Sequence, residues 1–353
     1  IKSSVMEALK EDTPLILSNF LMQETNFPKN KLTIASHMLM KWGLAVQADK
    51  KDLGAFLRFF ADPYEEMKKY LEKLAEKYWT ENNNRIKVKV GEKLSLLSTS
   101  LIEQVKTTTV ATGEARSREW LERLQKNINK TGLVSLQLPM TILQDEHFKH
   151  CHEKEIKQGI VSQIEKYASD MESSKDACKA FSILMETKLL IGCTEKCPFC
   201  GVFCEHTAAQ HPGMSHRSSL HWPTGLNKWH STYSNILVHR ICSELVGSTR
   251  TFLVPETLIP KGKRDKNSEY YHPYAKYNEI YKTWDIIPDL GVEATAYWKW
   301  VFAKHKNDIA ASYNLEPATL PDSWNNVTWP EALKSLEEAY HVTFSPEELQ
   351  IEA

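Results

Sequence analysis

Four cysteines and four histidines fall between Cys193 and His221, in the stretch CTEKCPFCGVFCEHTAAQHPGMSHRSSLH. Thiolates and imidazoles are the ligands Zn²⁺ favours, and a closed set of four protein ligands makes a structural site rather than a catalytic one. Cys197 and Cys200 form the firmest pair. They are separated by Pro198 and Phe199 and followed by Gly201, which permits the positive φ that such a turn often needs. His216 and His221 stand in a His-x₄-His spacing within the usual zinc range. The spacing predicts one tetrahedral site of Cys197, Cys200, His216 and His221, with Cys204 and His211 as alternates. His206 and Cys193 rank below them. A knuckle of this kind says more about how the chain is held together than about what it does.

Other metal arrangements are weaker. Two interleaved ion sites, as a cross-brace ubiquitin ligase requires, are possible by count with Cys193, His206, His230, His239 and Cys242, but the spacing fits poorly. A catalytic zinc would need an open coordination position and a base such as Glu205. Cys151, Cys178 and Cys242 are scattered and read as buried thiols, since a free cysteine behaves as a small hydrophobe. This cysteine usage suits a reducing compartment better than a disulfide framework. Two Asn-x-Thr triplets, at Asn129 and Asn326, are read as chance.

The composition excludes several functions. The 353 residues carry 44 basic and 45 acidic side chains, so no charge surplus argues for nucleic acid or an anionic membrane. No apolar run reaches the ~20 residues that span a bilayer. The chain opens at Ile1 without a basic, signal-like segment and reads as a piece of something longer. No GxxxxGK[ST] loop, GxSxG elbow, HExxH helix or dinucleotide fingerprint occurs, so no catalytic residue and no cofactor-binding residue is assigned. The basic run PKGKRDKN at 260–267 reads as a flexible loop. The tyrosines after it read as packing on helices rather than as a nucleotide-stacking surface.

The elements that must position the cluster are helical. Leu32, Ala35, Met38, Leu39 and Trp42 make one apolar stripe. Tyr64, Met67, Leu71, Leu74 and Tyr78 make another, opened by Asp62-Pro63 and faced with alternating Glu and Lys. RIKVKV at 85–90 alternates like a strand but sits in a helical setting and is read as helix. A helix over 176–190 delivers the chain to the cluster, and 235–246 reads as an amphipathic piece. Near the end, 293–313 should be a helix capped by Asp289, with Tyr297, Trp300, Val301, Ile309 and Tyr313 inward. Thr328-Trp329-Pro330-Glu331 and Ser345-Pro346-Glu347-Glu348 both have the form of a capping box. The expected architecture is mainly α. An elongated helical bundle over 1–190 leads to an irregular zinc-stapled module over 191–290, and helices over 291–353 pack on that module.

The motifs CPFCGVFCEHTAAQHPGMSHRSSLHWPTGLNKWH, YHPYAKYNEIYKTWDIIPD and YWKWVFAKHKNDIAASYNLEPATLPDSW together resemble one family. It is the carboxy-terminal region of the interferon-induced very large GTPases, which include the related up-regulator of cell proliferation. The resemblance runs from about Lys188 to Trp329. It implies a large, dynamin-related, cytoplasmic or nuclear protein whose G domain lies upstream, so that GTP is bound outside this chain. By analogy with dynamin-like stalks it implies a non-enzymatic scaffold region that self-associates or holds protein partners, with no membrane span. The alternative is a zinc-dependent ubiquitin-ligase-like module.

Overall fold

The computed structural model describes residues 28–48, 52–81, 185–230, 234–259 and 270–349, with isolated residues between 88 and 183. The chain divides into two compact units, Ile1–Phe27 with Leu71–Thr187, and Pro28–Tyr70 with Lys188–Ala353. The second unit carries the Cys/His segment. The strand-like run at 85–90 and the basic loop at 260–267 fall outside the described residues, apart from Val88, which is helical.

Local chemistry starts each helix. Asn30 opens α1 (Lys31–Gln47) by accepting from the Thr33 amide, while Thr33 Oγ1 accepts from the Asn30 amide at 3.0 Å. Asp52 does the same one-sidedly for α2 (Leu53–Ala61), accepting from Ala55 N at 2.9 Å. Pro63 occupies the first position of α3 (Pro63–Glu81), where its missing N–H costs nothing. The buried stripe of α3 is Met67, Leu71 and Ala75. α5 (Ala296–Ser312) begins after Thr295 rather than near Asp289, because the Asp289 carboxylate accepts from Gly291 N in its own turn. α6 (Trp329–Tyr340) has the full reciprocal capping box of Thr328 and Glu331. Ser345 and Glu348 also exchange both capping bonds, but only a turn follows in the described residues.

The segment 235–246 is helical only over α4 (Cys242–Val246). Its first half is drawn out by backbone pairing of Ile236 with Glu316 and of Leu237 with His230. Two three-residue strands, β1 (Thr251–Leu253) and β2 (Tyr271–Pro273), pair antiparallel with Phe252 opposite His272.

One aromatic core joins α1, α2, α5 and α6. Trp222, fully buried, packs against Phe59 and Phe60 at 5.3 and 5.1 Å, and its indole N–H donates to Tyr340 Oη at 3.0 Å. Trp42 stacks on Phe56 at 3.7 Å, and Tyr297 Oη donates to the Leu39 carbonyl. Tyr297, Trp300, Val301 and Ile309 point inward as their spacing requires, while Tyr313 is only half-buried.

The chain returning from Trp222 is held by close backbone approach. Gly225 N donates to Val238 O at 2.8 Å, and a β-carbon on Gly225 would lie 2.2 Å from that same oxygen. Backbone cannot give way as a flexible side chain can. Gly225→Ala should therefore lower unfolding stability by about 1–3 kcal/mol, as overpacking typically does. Chemical denaturation checks this, and an unchanged midpoint would show that the approach is not a constraint.

Candidate metal centres

A hairpin sorts the cysteines. Lys196 and Phe203 pair antiparallel, Cys197 N donates to Val202 O at 2.7 Å, and Cys204 N donates to Glu195 O at 2.9 Å. Gly201 closes the turn at φ +78, and its amide donates to the Cys197 carbonyl. A β-carbon there would also stand 2.6 Å from the Phe60 carbonyl, so glycine is required by both conformation and contact. Cys197 and Cys200 thus sit at the tip, and Cys193 and Cys204 lie on the two arms.

Each pair gathers its own partners. Cys193, Cys204, His211 and His216 bring one ligand atom apiece within 4.8 Å of one another, and so do Cys197, Cys200, His221 and Cys242. In the first group Cys193 Sγ lies 3.4 Å from His216 Nδ1, and Cys204 Sγ lies 3.8 Å from His211 Nε2. In the second, Cys200 Sγ lies 3.4 Å from His221 Nδ1, and Cys197 Sγ lies 3.8 Å from Cys242 Sγ. Of the four residues expected to share one ion, the structure gathers Cys197, Cys200 and His221. It places His216 in the other group with both alternates, Cys204 and His211. Cys193, ranked low by spacing, completes that group. Cys242, read as a scattered thiol, completes the second, while His206, His230 and His239 belong to neither.

Cys242 arrives through the fold rather than through spacing. Pro223 pairs antiparallel with Ile241, and Thr224 N donates to Arg240 O, so the start of α4 returns beside His221. The only sequence signal was the number of ligand types left over.

The surroundings hold both groups in place. His211 Nδ1 contacts the Met214 carbonyl at 3.2 Å, which fixes the ring that presents Nε2 to Cys204. His216 is pinned by its backbone, donating to Thr283 O at 2.7 Å and accepting from Asp285 N at 2.8 Å. Lys31, from the first turn of α1, is 7% exposed, and its Nζ donates to the carbonyls of Cys193 and Cys204 at 3.1 and 2.7 Å. Burial lowers its pKa, and the neighbouring Cys204 and Cys193 pull it back up. Phe199, between the two tip cysteines, puts its ring within 5.5 Å of Trp229, Phe252, Tyr274 and Tyr281. Tyr274 and Tyr277 are buried, so the tyrosine-rich segment packs inward as expected.

The chemistry of the two donor sets fits Zn²⁺. Burial pushes the Cys197 and Cys242 thiols well above their usual range. At Cys200 burial also works upward, but hydrogen bonds from Cys197, Cys242 and His221 outweigh it and bring that thiol far down. Three sulfurs and an imidazole packed together in a buried place are the donors a soft divalent cation binds as thiolates. His221 Nε2 is buried without a hydrogen-bond partner. With Zn²⁺ the two-cysteine group would be formally neutral and the three-cysteine group would carry one negative charge. Four protein ligands in each group leave no open position. Glu205, the candidate base of a catalytic metal, has Oε1 engaged by Ser218 and Ser219 at 2.6 to 3.1 Å.

Among the described residues no helix is long and apolar enough to cross a membrane. No curated protein and no solved structure matches the chain. A family model described as "Interferon-induced very large GTPase 1, C-terminal domain" matches residues 193–336. That span opens on Cys193, contains all eight residues of the two groups and ends inside α6. Residues 193–336 are therefore similar to the carboxy-terminal domain of the interferon-induced very large GTPase family, over the region whose motifs resemble it.

Proposed function

We propose that this chain is a non-catalytic, carboxy-terminal scaffold of a very large GTP-binding protein, cross-linked by two structural Zn²⁺ ions. The observation that carries the reading is the pair of closed, four-residue Cys/His groups built on one hairpin. A structural zinc contributes its binding energy to folding, on the order of 10 kcal/mol in small zinc peptides. GTP binds through an upstream domain, since no phosphate-binding loop occurs here. The region serves self-association or protein partners, in the cytoplasm or nucleus, where reduced thiols persist. The dynamin-like stalk role is an analogy of fold class.

The two groups supply the second set of Cys/His residues that the ubiquitin-ligase reading needs. They are taken in a different order from a cross-brace, however. The first group uses the first, fourth, fifth and sixth of the eight residues along the chain rather than alternating pairs. Discharge of a charged ubiquitin-conjugating enzyme by the zinc-loaded chain would replace the scaffold reading with this one.

Metal analysis of the purified chain should give two zinc ions. Cys204→Ser and Cys242→Ser should each remove one, with chelation lowering the melting temperature sharply. One ion lost to either substitution from a total of one would mean a single shared site, and no zinc would overturn the reading. Lys31→Met keeps the length of the side chain but removes the donors to two buried carbonyls. It should cost roughly 1.5–3 kcal/mol, the scale of a charged hydrogen bond, with zinc content unchanged. Thermal melting beside metal analysis separates these effects.

A further inference from the structure

Away from the metal groups, residues on either side of α4 and β1 enclose an open cleft of about 570 Å³, within the usual range for small-molecule sites. Its polar wall is formed by His239, Arg240, Thr249, Arg250, Thr251 and Thr319, and no acidic residue lines it. Arg240 is paired with Glu244. Arg250 forms no ion pair among the described residues and is exposed. Its backbone, by contrast, is fixed: its carbonyl accepts from Tyr274 N at 2.9 Å, its amide donates to Ser248 Oγ, and Thr251 pairs with Pro273. Leu245, Ile236 and Tyr274 supply an apolar wall. Leu245 lies on α4, whose first residue is the metal-group cysteine Cys242.

From this arrangement we infer that the cleft binds a small phosphomonoester, with Arg250 as the principal anchor of the phosphate and the apolar wall against the body of the ligand. The guanidinium fork matches two phosphate oxygens, and Thr249 and Thr319 line the cleft as hydroxyl donors for the third. A carboxylate has only two oxygens and would leave those hydroxyls idle. The cleft is larger than a bare phosphate requires, so the ligand carries more than its head group. Burial first, then Arg240 and Arg250, hold His239 down to about 4. That imidazole is therefore neutral near pH 7 and acts as a hydrogen-bonding group rather than a third cation.

The test is calorimetric titration of the full, metal-loaded chain with inorganic phosphate, phenyl phosphate and benzoate at fixed ionic strength. Phenyl phosphate should bind saturably and more tightly than inorganic phosphate. Arg250→Ala should weaken it by roughly tenfold or more, the scale of losing charge-assisted bonds. Unchanged zinc content and melting of that variant keep the result separate from the fate of the metal reading. No saturable binding of either phosphate, or equal affinity in Arg250→Ala, overturns the site. Benzoate binding as tightly as phenyl phosphate overturns the phosphate assignment.

Discussion

The turn Cys197-Pro198-Phe199-Cys200-Gly201 is the constraint on which the surrounding structure depends. Two sulfurs can face one point only if the chain reverses tightly, and the reversal leaves Phe199 projecting into the protein. A buried aromatic ring must then be enclosed, and Trp229, Phe252, Tyr274 and Tyr281 enclose it. The opposite side of the turn lies against the end of α2, where Gly201 meets the Phe60 carbonyl and Lys196 Nζ donates to the Ala61 carbonyl. Irregular segments with little secondary structure of their own are thus organised around a hairpin tip and packed together through aromatic rings.

Lys31 makes the same connection at the hairpin arms. Cys193 and Cys204 leave their backbone carbonyls facing inward, and a buried carbonyl needs a donor. The lysine supplies two bonds from the start of α1 and places a positive charge next to a pair of thiols. The amino-terminal helices α1 and α2 therefore share one unit with the Cys/His segment, although well over a hundred residues separate them in sequence.

What the sequence made legible was what local chemistry decides. The tight turn, the positive φ at Gly201, the Thr328–Glu331 capping box and the inward face of α5 all follow from residues within one or two turns of each other. The division of ligands was not legible, because hairpin pairing decides it: Cys193 and Cys204 are eleven positions apart in sequence yet oppose each other across the arms. Cys242 depended on the return of the chain through Pro223 and Ile241, which no spacing rule encodes. Nothing in its sequence neighbours marks Lys31 for burial, and only the position of two distant carbonyls makes it a buried lysine.

Interleaving has a consequence that two separate knuckles would lack. The ligands of each group bracket ligands of the other along the chain, so neither group can form while the other segment is far from its native path. Loop entropy is not the main effect. The loop closed by the second group is about twice as long as the first, and doubling a loop changes its closure cost by only ~0.6 kcal/mol. The larger effect is shared geometry: the bonds Cys197 N–Val202 O and Cys204 N–Glu195 O belong to the same hairpin that presents both cysteine pairs. Metal bound at either group fixes that hairpin and so preorganises the other. Under the two-zinc reading, loading is cooperative for this reason, and loss of one ion loosens the ligands of both.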